Sequence, residues 1–123
     1  MAQADSIVPW PSERSERLKT IDSLVQGAAS LYRANRRQER EAISIVECEN
    51  PALDPTVQSQ VVKKGKQENS WGLSQINLDS HPNILLQQAE DPQFSINFLV
   101  ENIVKGNQDM WYTCHQKWLA GDG

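Results

Sequence analysis

Glu47 and Glu49 flank Cys48 in the stretch EAISIVECENPALDP, residues 41–55. A carboxyl group in that position could hand a proton to a glycosidic oxygen, provided it keeps the proton near neutral pH. Ala42, Ile43, Ile45 and Val46 carry a helical pattern through the stretch. The helix must end before Pro51, because proline disfavours helical geometry in the residue ahead of it. Two residues apart on a helix is about 200° around the axis, so the two glutamates cannot serve one site. Glu47 falls in line with Ile43 and Arg40 and belongs to the exposed face. Glu49 closes the helix with Ile45 and Val46 one turn behind it. The negative end of the helix dipole and partial burial both disfavour its ionisation. Glu49 is therefore the candidate general acid, with an ordinary carboxylate at a helix end as the alternative reading.

Other residue types point to less chemistry. His81 and His115 accompany the two cysteines, but Cys114 and His115 are adjacent and lack ligand spacing, so no metal site is expected. GLSQI, residues 72–76, lacks the second glycine of a serine-hydrolase elbow. Cys48 and Cys114 allow either one disulfide across half the chain or two buried thiols. The amides of Gln75 and Asn77 suit acetamido groups and sugar hydroxyls, although Asn77 could simply cap the turn before Leu78. Trp71 could stack on a sugar ring or sit in the core, where Trp111 and Trp118 are expected. Lys63, Lys64 and Lys66 read as a solvated loop.

The elements that must position these residues are mostly helical. Residues 1–15, with Pro9, Trp10 and Pro11, read as a leader or linker ahead of one domain over 16–120. Leu18, Ile21, Leu24, Val25, Ala28, Leu31 and Tyr32 recur in steps of three and four and predict an amphipathic helix over 17–32. RANRRQERE is a charged face or junction before the Glu49 helix. Residues 50–71 read as a long irregular segment with a short strand at Val61-Val62. Asp91-Pro92 starts a further helix whose apolar face is Phe94, Ile96, Phe98, Leu99, Ile103 and Val104, and Gly106 stops it. MWYTCHQKWL forms the last ordered segment. The fold class is mainly α, an α+β domain with at most a small β element.

A chain of 123 residues is long enough to bury one core unaided. Its net charge of −4 offers no general attraction to nucleic acid or to an anionic membrane surface. No signal peptide is visible at the N-terminus, and no apolar run approaches the roughly 20 residues of a membrane span. Either the protein is soluble where it is made, or a leader or anchor lies outside this sequence.

Taken in order, CEN, LDP, a serine, WGLSQIN and the late WYTC form a pattern that resembles the lysozyme-like lytic transglycosylases. Glu49 matches the helix-ending catalytic Glu, Asp54-Pro55 the following Asn/Asp-Pro and Ser59 the next Ser. Gly72-Leu73-Ser74-Gln75-Ile76 matches the Gly-Leu-x-Gln-Ile element, with Ser74 as a more polar cleft floor. The Cys before the Glu and the Trp-x-x-Cys also look like resuscitation-promoting factors, in which those cysteines pair. The resemblance spans roughly residues 35–115. It implies a lysozyme-like domain with a cleft and cleavage of the β-1,4 bond between N-acetylmuramic acid and N-acetylglucosamine. One Glu acts as acid and base without metal or cofactor, giving 1,6-anhydro products. It further implies that Glu49 is catalytic, that Ser59, Gln75 and Tyr112 touch substrate, and that Cys48 pairs with Cys114, while Trp71 and Asn77 join the substrate contacts on residue type alone. Asn50 stands in place of the family's Ser, and the Glu49-to-Gly72 interval is longer than usual, the surplus falling in VVKKGKQENS. The implied partner is the peptidoglycan glycan strand. The implied setting is the extracytoplasmic cell envelope, or a virion, with the enzyme held in a larger assembly. The alternatives are a hydrolytic muramidase and a non-catalytic glycan-binding or assembly module on the same fold.

Overall fold

The computed structural model describes residues 9–122 and is mainly helical, with five α-helices and two small antiparallel sheets among those residues. Helix α1 spans Arg14–Tyr32 and buries Ile21, Val25, Ala28 and Ala29. It begins ahead of Arg17, and Leu31 falls beside the buried stripe and is exposed. Of the stretch read as a leader, residues 1–8 lie outside the described residues. Trp10 packs against the core and its indole N–H donates to the Leu53 carbonyl at 2.8 Å. Arg33, in the left-handed region at φ 61°, ends α1, and its N–H and that of Ala34 both reach the Ala29 carbonyl.

Helix α2, Arg36–Glu49, starts at a capping box. Asn35 Oδ1 accepts from the Gln38 amide and Gln38 Oε1 from the Asn35 amide, both at 2.8 Å. Ala42, Ile45 and Val46 are fully buried. The helix stops at Glu49, and buried Asn50 knits that end to its surroundings. Its Nδ2 donates to the Asp54 carbonyl at 2.8 Å and the Gly72 carbonyl at 3.0 Å, and its Oδ1 accepts from the Asp54 amide. The loop after α2 is also held by α1: Arg14 donates to the Pro51 carbonyl and Arg17 to the Ala52 carbonyl.

The segment read as irregular, 50–71, contains one complete hairpin, whose first strand lies one residue beyond the expected Val61-Val62, and the first strand of a second. Strands β1 (Val62–Lys63) and β2 (Lys66–Gln67) pair through Lys64-Gly65, both at positive φ, the requirement of a tight type I′ turn. Strands β3 (Ser70–Trp71) and β4 (Ile76–Asn77) enclose Gly72–Gln75. Residues 57–59 run beside β3, with the Ser59 amide on the Ser70 carbonyl and the Gly72 amide on the Val57 carbonyl. Helix α3 (Leu86–Ala89) is short; α4 (Pro92–Val104) starts at the Asp91 cap, whose Oδ2 accepts from the Phe94 amide. Ile96, Leu99, Val100 and Ile103 are buried, and α4 packs on α1, α2 and α3. A 3₁₀ turn at Gln108–Trp111 leads into α5 (Tyr112–Asp122), which lies against α2. Trp111 and Trp118 are buried, as the sequence leads one to expect.

Gly72 is the tightest joint between the hairpin and the helices. It sits at φ +88°, and a Cβ there would lie 2.0 Å from the Ala89 carbonyl oxygen. Gly65 has φ +76° but open space around it. Gly72→Ala should therefore destabilise the fold by about 3 kcal/mol, combining backbone strain with overpacking, against about 1 kcal/mol for Gly65→Ala. Urea unfolding of both variants checks this, and equal losses would remove the steric argument.

Candidate active site

A cleft of about 600 Å³ opens between the end of α2, the two hairpins and the start of α5. Cys48 and Glu49 form one wall; Val61, Lys63, Glu68 and Ser70 form the second; Trp111, Tyr112 and Lys117 stand on the third. Cys48 and Cys114 form a disulfide with 5.8 Å between their Cα atoms, so the first and third walls are covalently joined. A second tie between the same helices lies nearby: His115 Nδ1 is 2.5 Å from Oε2 of buried Glu41.

Glu49 projects into this cleft, and no described residue donates a hydrogen bond to its carboxyl group. Burial is the main cause that raises its pKa from 4.5 to about 7, and the like charge of Glu68 adds to it. The charged form loses water without gaining a donor, so about half of the molecules keep the proton at pH 7 and most keep it just below. Glu47 does not line the cleft. It turns toward α1, where Arg14 lies 3.4 Å from its Oε2, and its side chain is 41% exposed. The two carboxylates of the ECE triplet thus occupy different environments on opposite sides of the helix end.

The other residues singled out from the sequence separate into two groups. Gln75, Asn77 and Tyr112 line the cleft with Glu49; Ser59 and Trp71 do not. Ser59 Oγ accepts from the Val61 amide within its own turn, and Trp71 Nε1 donates to Asn69 Oδ1. Gln75, at φ +53°, spends its Nε2 on the carbonyls of Val57 and Gly72, which makes it a brace of the β3–β4 turn. Asn77 Oδ1 accepts from the amides of Asp79 and Ser80 and so also caps a turn. Ser74 is not the cleft floor. It is fully buried, its hydroxyl 2.8 Å from that of Ser95, and its carbonyl accepts from Trp111 Nε1. Among the described residues no three His, Cys, Asp or Glu side chains gather as a metal-holding group.

Glu68 is one of the cleft residues that the sequence reading does not single out, with Asp109 and Lys117 among the others. It lies in the stretch read as surplus solvated loop, and the hairpin turns it toward Glu49. The signal was the Lys64-Gly65 dipeptide between short extended runs, a weaker hairpin mark than Asn-Gly.

No family model, no curated protein and no solved structure matches this chain.

Proposed function

We propose that this protein is a peptidoglycan lytic transglycosylase, with Glu49 as its acid and base. The observation that carries the reading is Glu49 itself: a carboxyl group at a helix end, in an open cleft, with its pKa raised to about 7. The ordered motifs around it support the choice of substrate. Glu49 gives its proton to the glycosidic oxygen as the bond from C1 of N-acetylmuramic acid breaks, freeing the N-acetylglucosamine hydroxyl. The resulting carboxylate takes the proton of the muramic 6-hydroxyl, whose oxygen bonds to C1 and closes the 1,6-anhydro ring. The acid is thereby restored, and no second proton carrier is required. The disulfide fits an oxidising, extracytoplasmic setting, with the enzyme working at the cell envelope or on a virion.

Mass spectrometry of digested peptidoglycan tests the reading. Anhydromuramic ends are the expected product; reducing ends would make the protein a hydrolytic muramidase, and an undigested substrate would make it a glycan-binding module. Because the first step needs protonated Glu49, turnover should be highest below pH 7 and fall tenfold per unit well above it. A rate that rises through pH 7 to 9 would contradict general-acid use of this residue.

A further inference from the structure

Glu68 is fixed from three directions. Its amide donates to the Val61 carbonyl at 2.7 Å, and its carbonyl accepts from Gln58 Nε2 at 3.1 Å. Its Oε2 accepts from Ser70 Oγ at 2.7 Å, and Ser70 is 1% exposed, so the group that aims the carboxylate is itself locked in place. Oε1 has no donor among the described residues, and both Glu68 and Ser70 line the cleft that holds Glu49. The backbone bonds fix the chain at Glu68, and the buried Ser70 hydroxyl fixes which way its carboxylate points.

We infer that Glu68 is a second catalytic carboxylate, held by Ser70, that stabilises the positive charge developing at the anomeric carbon while Glu49 transfers the protons. The inference rests on the glycan-cleaving reading above. When Glu49 protonates the leaving oxygen, the C1–O bond breaks ahead of ring closure and the sugar ring carries an oxocarbenium-like charge. A negative group already oriented in a cleft stabilises that charge without reorganising during the step. Glu68 forms no bond to the sugar and moves no proton, so the product remains the 1,6-anhydro sugar. The same charge acts on Glu49, whose raised proton affinity includes a contribution from Glu68. The pair thus divides the work: one carboxyl group holds a proton and the other supplies a charge.

The test compares wild type, Glu68→Gln, Glu68→Asp and Ser70→Ala on purified peptidoglycan, with circular dichroism to confirm folding. Glu68→Gln should lower kcat by about tenfold or more with anhydro products retained. Its alkaline limb should also move to lower pH, since the like charge beside Glu49 is gone. Glu68→Asp should restore part of the rate, and Ser70→Ala, acting only on position, should give a smaller loss. An active wild type with Glu68→Gln within twofold in rate and unchanged in pH profile would overturn the inference and leave the reading of Glu49 intact. A change of product class in Glu68→Gln would overturn it too, by assigning Glu68 to water activation. A wild type without cleavage would instead overturn the underlying function.

Discussion

Glu49→Gln should cut peptidoglycan turnover by at least about 10²-fold while the fold persists, because the amide keeps the shape but can neither give nor take the proton. A group that serves both half-steps carries the acid and the base contributions together, and each is ordinarily about 10²–10⁴-fold. Glu47→Gln is the matched control, two residues away and on the other side of the helix. Its side chain faces Arg14 outside the cleft, so turnover should stay within about threefold of wild type. Initial rates on soluble peptidoglycan fragments measure both. Near wild-type turnover in Glu49→Gln, or a larger loss in Glu47→Gln, would exchange the roles given to the two residues.

The same substitution has a stability consequence of definite sign. The carboxyl of Glu49 binds its proton more tightly folded than unfolded, with a pKa of about 7 against 4.5. Its contribution is therefore complete below pH 4.5 and is lost as the pH rises through 7. Glutamine carries no such penalty, so Glu49→Gln should be the more stable protein at pH 8, by about 1–2 kcal/mol once solvent screening is allowed for. A variant that is inactive and more stable is the behaviour of a functional group kept in place at the expense of the fold.

The helices were legible in the sequence because their signals are local. Asn35 and Gln38 form their box three residues apart in the chain, Asp91 caps the turn that Pro92 begins, and Ile21, Val25 and Ala28 repeat with the helical period. Glu49 was legible for the same reason: helix end, proline break and apolar residues behind it all lie within ten positions. The second half of the site depended on non-local contacts. Glu68 matters only because a hairpin folds it toward α2, and its aim depends on Ser70, two positions on and buried by the domain. Gln75 and Asn77 line the cleft, yet their polar atoms go to backbone partners at Val57, Gly72, Asp79 and Ser80. The spacing of an amide reveals that it is near a site, whereas the unpaired backbone groups of a long loop decide what it bonds. Asn50 follows the same logic: it bonds locally to Asp54, as its type suggests, and also reaches Gly72, which ties the helix end that carries Glu49 to the hairpin turn.

Breaking the Cys48–Cys114 bridge should produce the largest stability loss of any change considered. The bridge joins residues 66 positions apart, and in the chain-entropy model a loop of that length contributes about 4 kcal/mol by restricting the unfolded chain. Cys48→Ala with Cys114→Ala should therefore lower the melting temperature by more than about 10 °C, a loss that reduction of the wild type should reproduce. The fold should still form at low temperature, because Glu41 and His115 join α2 to α5 independently and Arg37 lies over the Trp118 ring, 5.4 Å from its centroid. Function should suffer beyond the loss of stability. Cys48 is the neighbour of Glu49, and Cys114 lies two residues beyond Tyr112, so the bridge fixes the width of the cleft between two of its walls. Turnover measured well below the new melting temperature should accordingly fall several-fold, with KM raised more than kcat is lowered, since a wider cleft weakens substrate binding before it alters proton transfer. Urea unfolding with and without reductant, alongside kinetics at 10 °C, separates the two effects. A stability loss under about 1 kcal/mol would mean that the unfolded chain is already compact around these cysteines. An unchanged KM in the double variant would assign the spacing of the cleft walls to the Glu41–His115 contact instead.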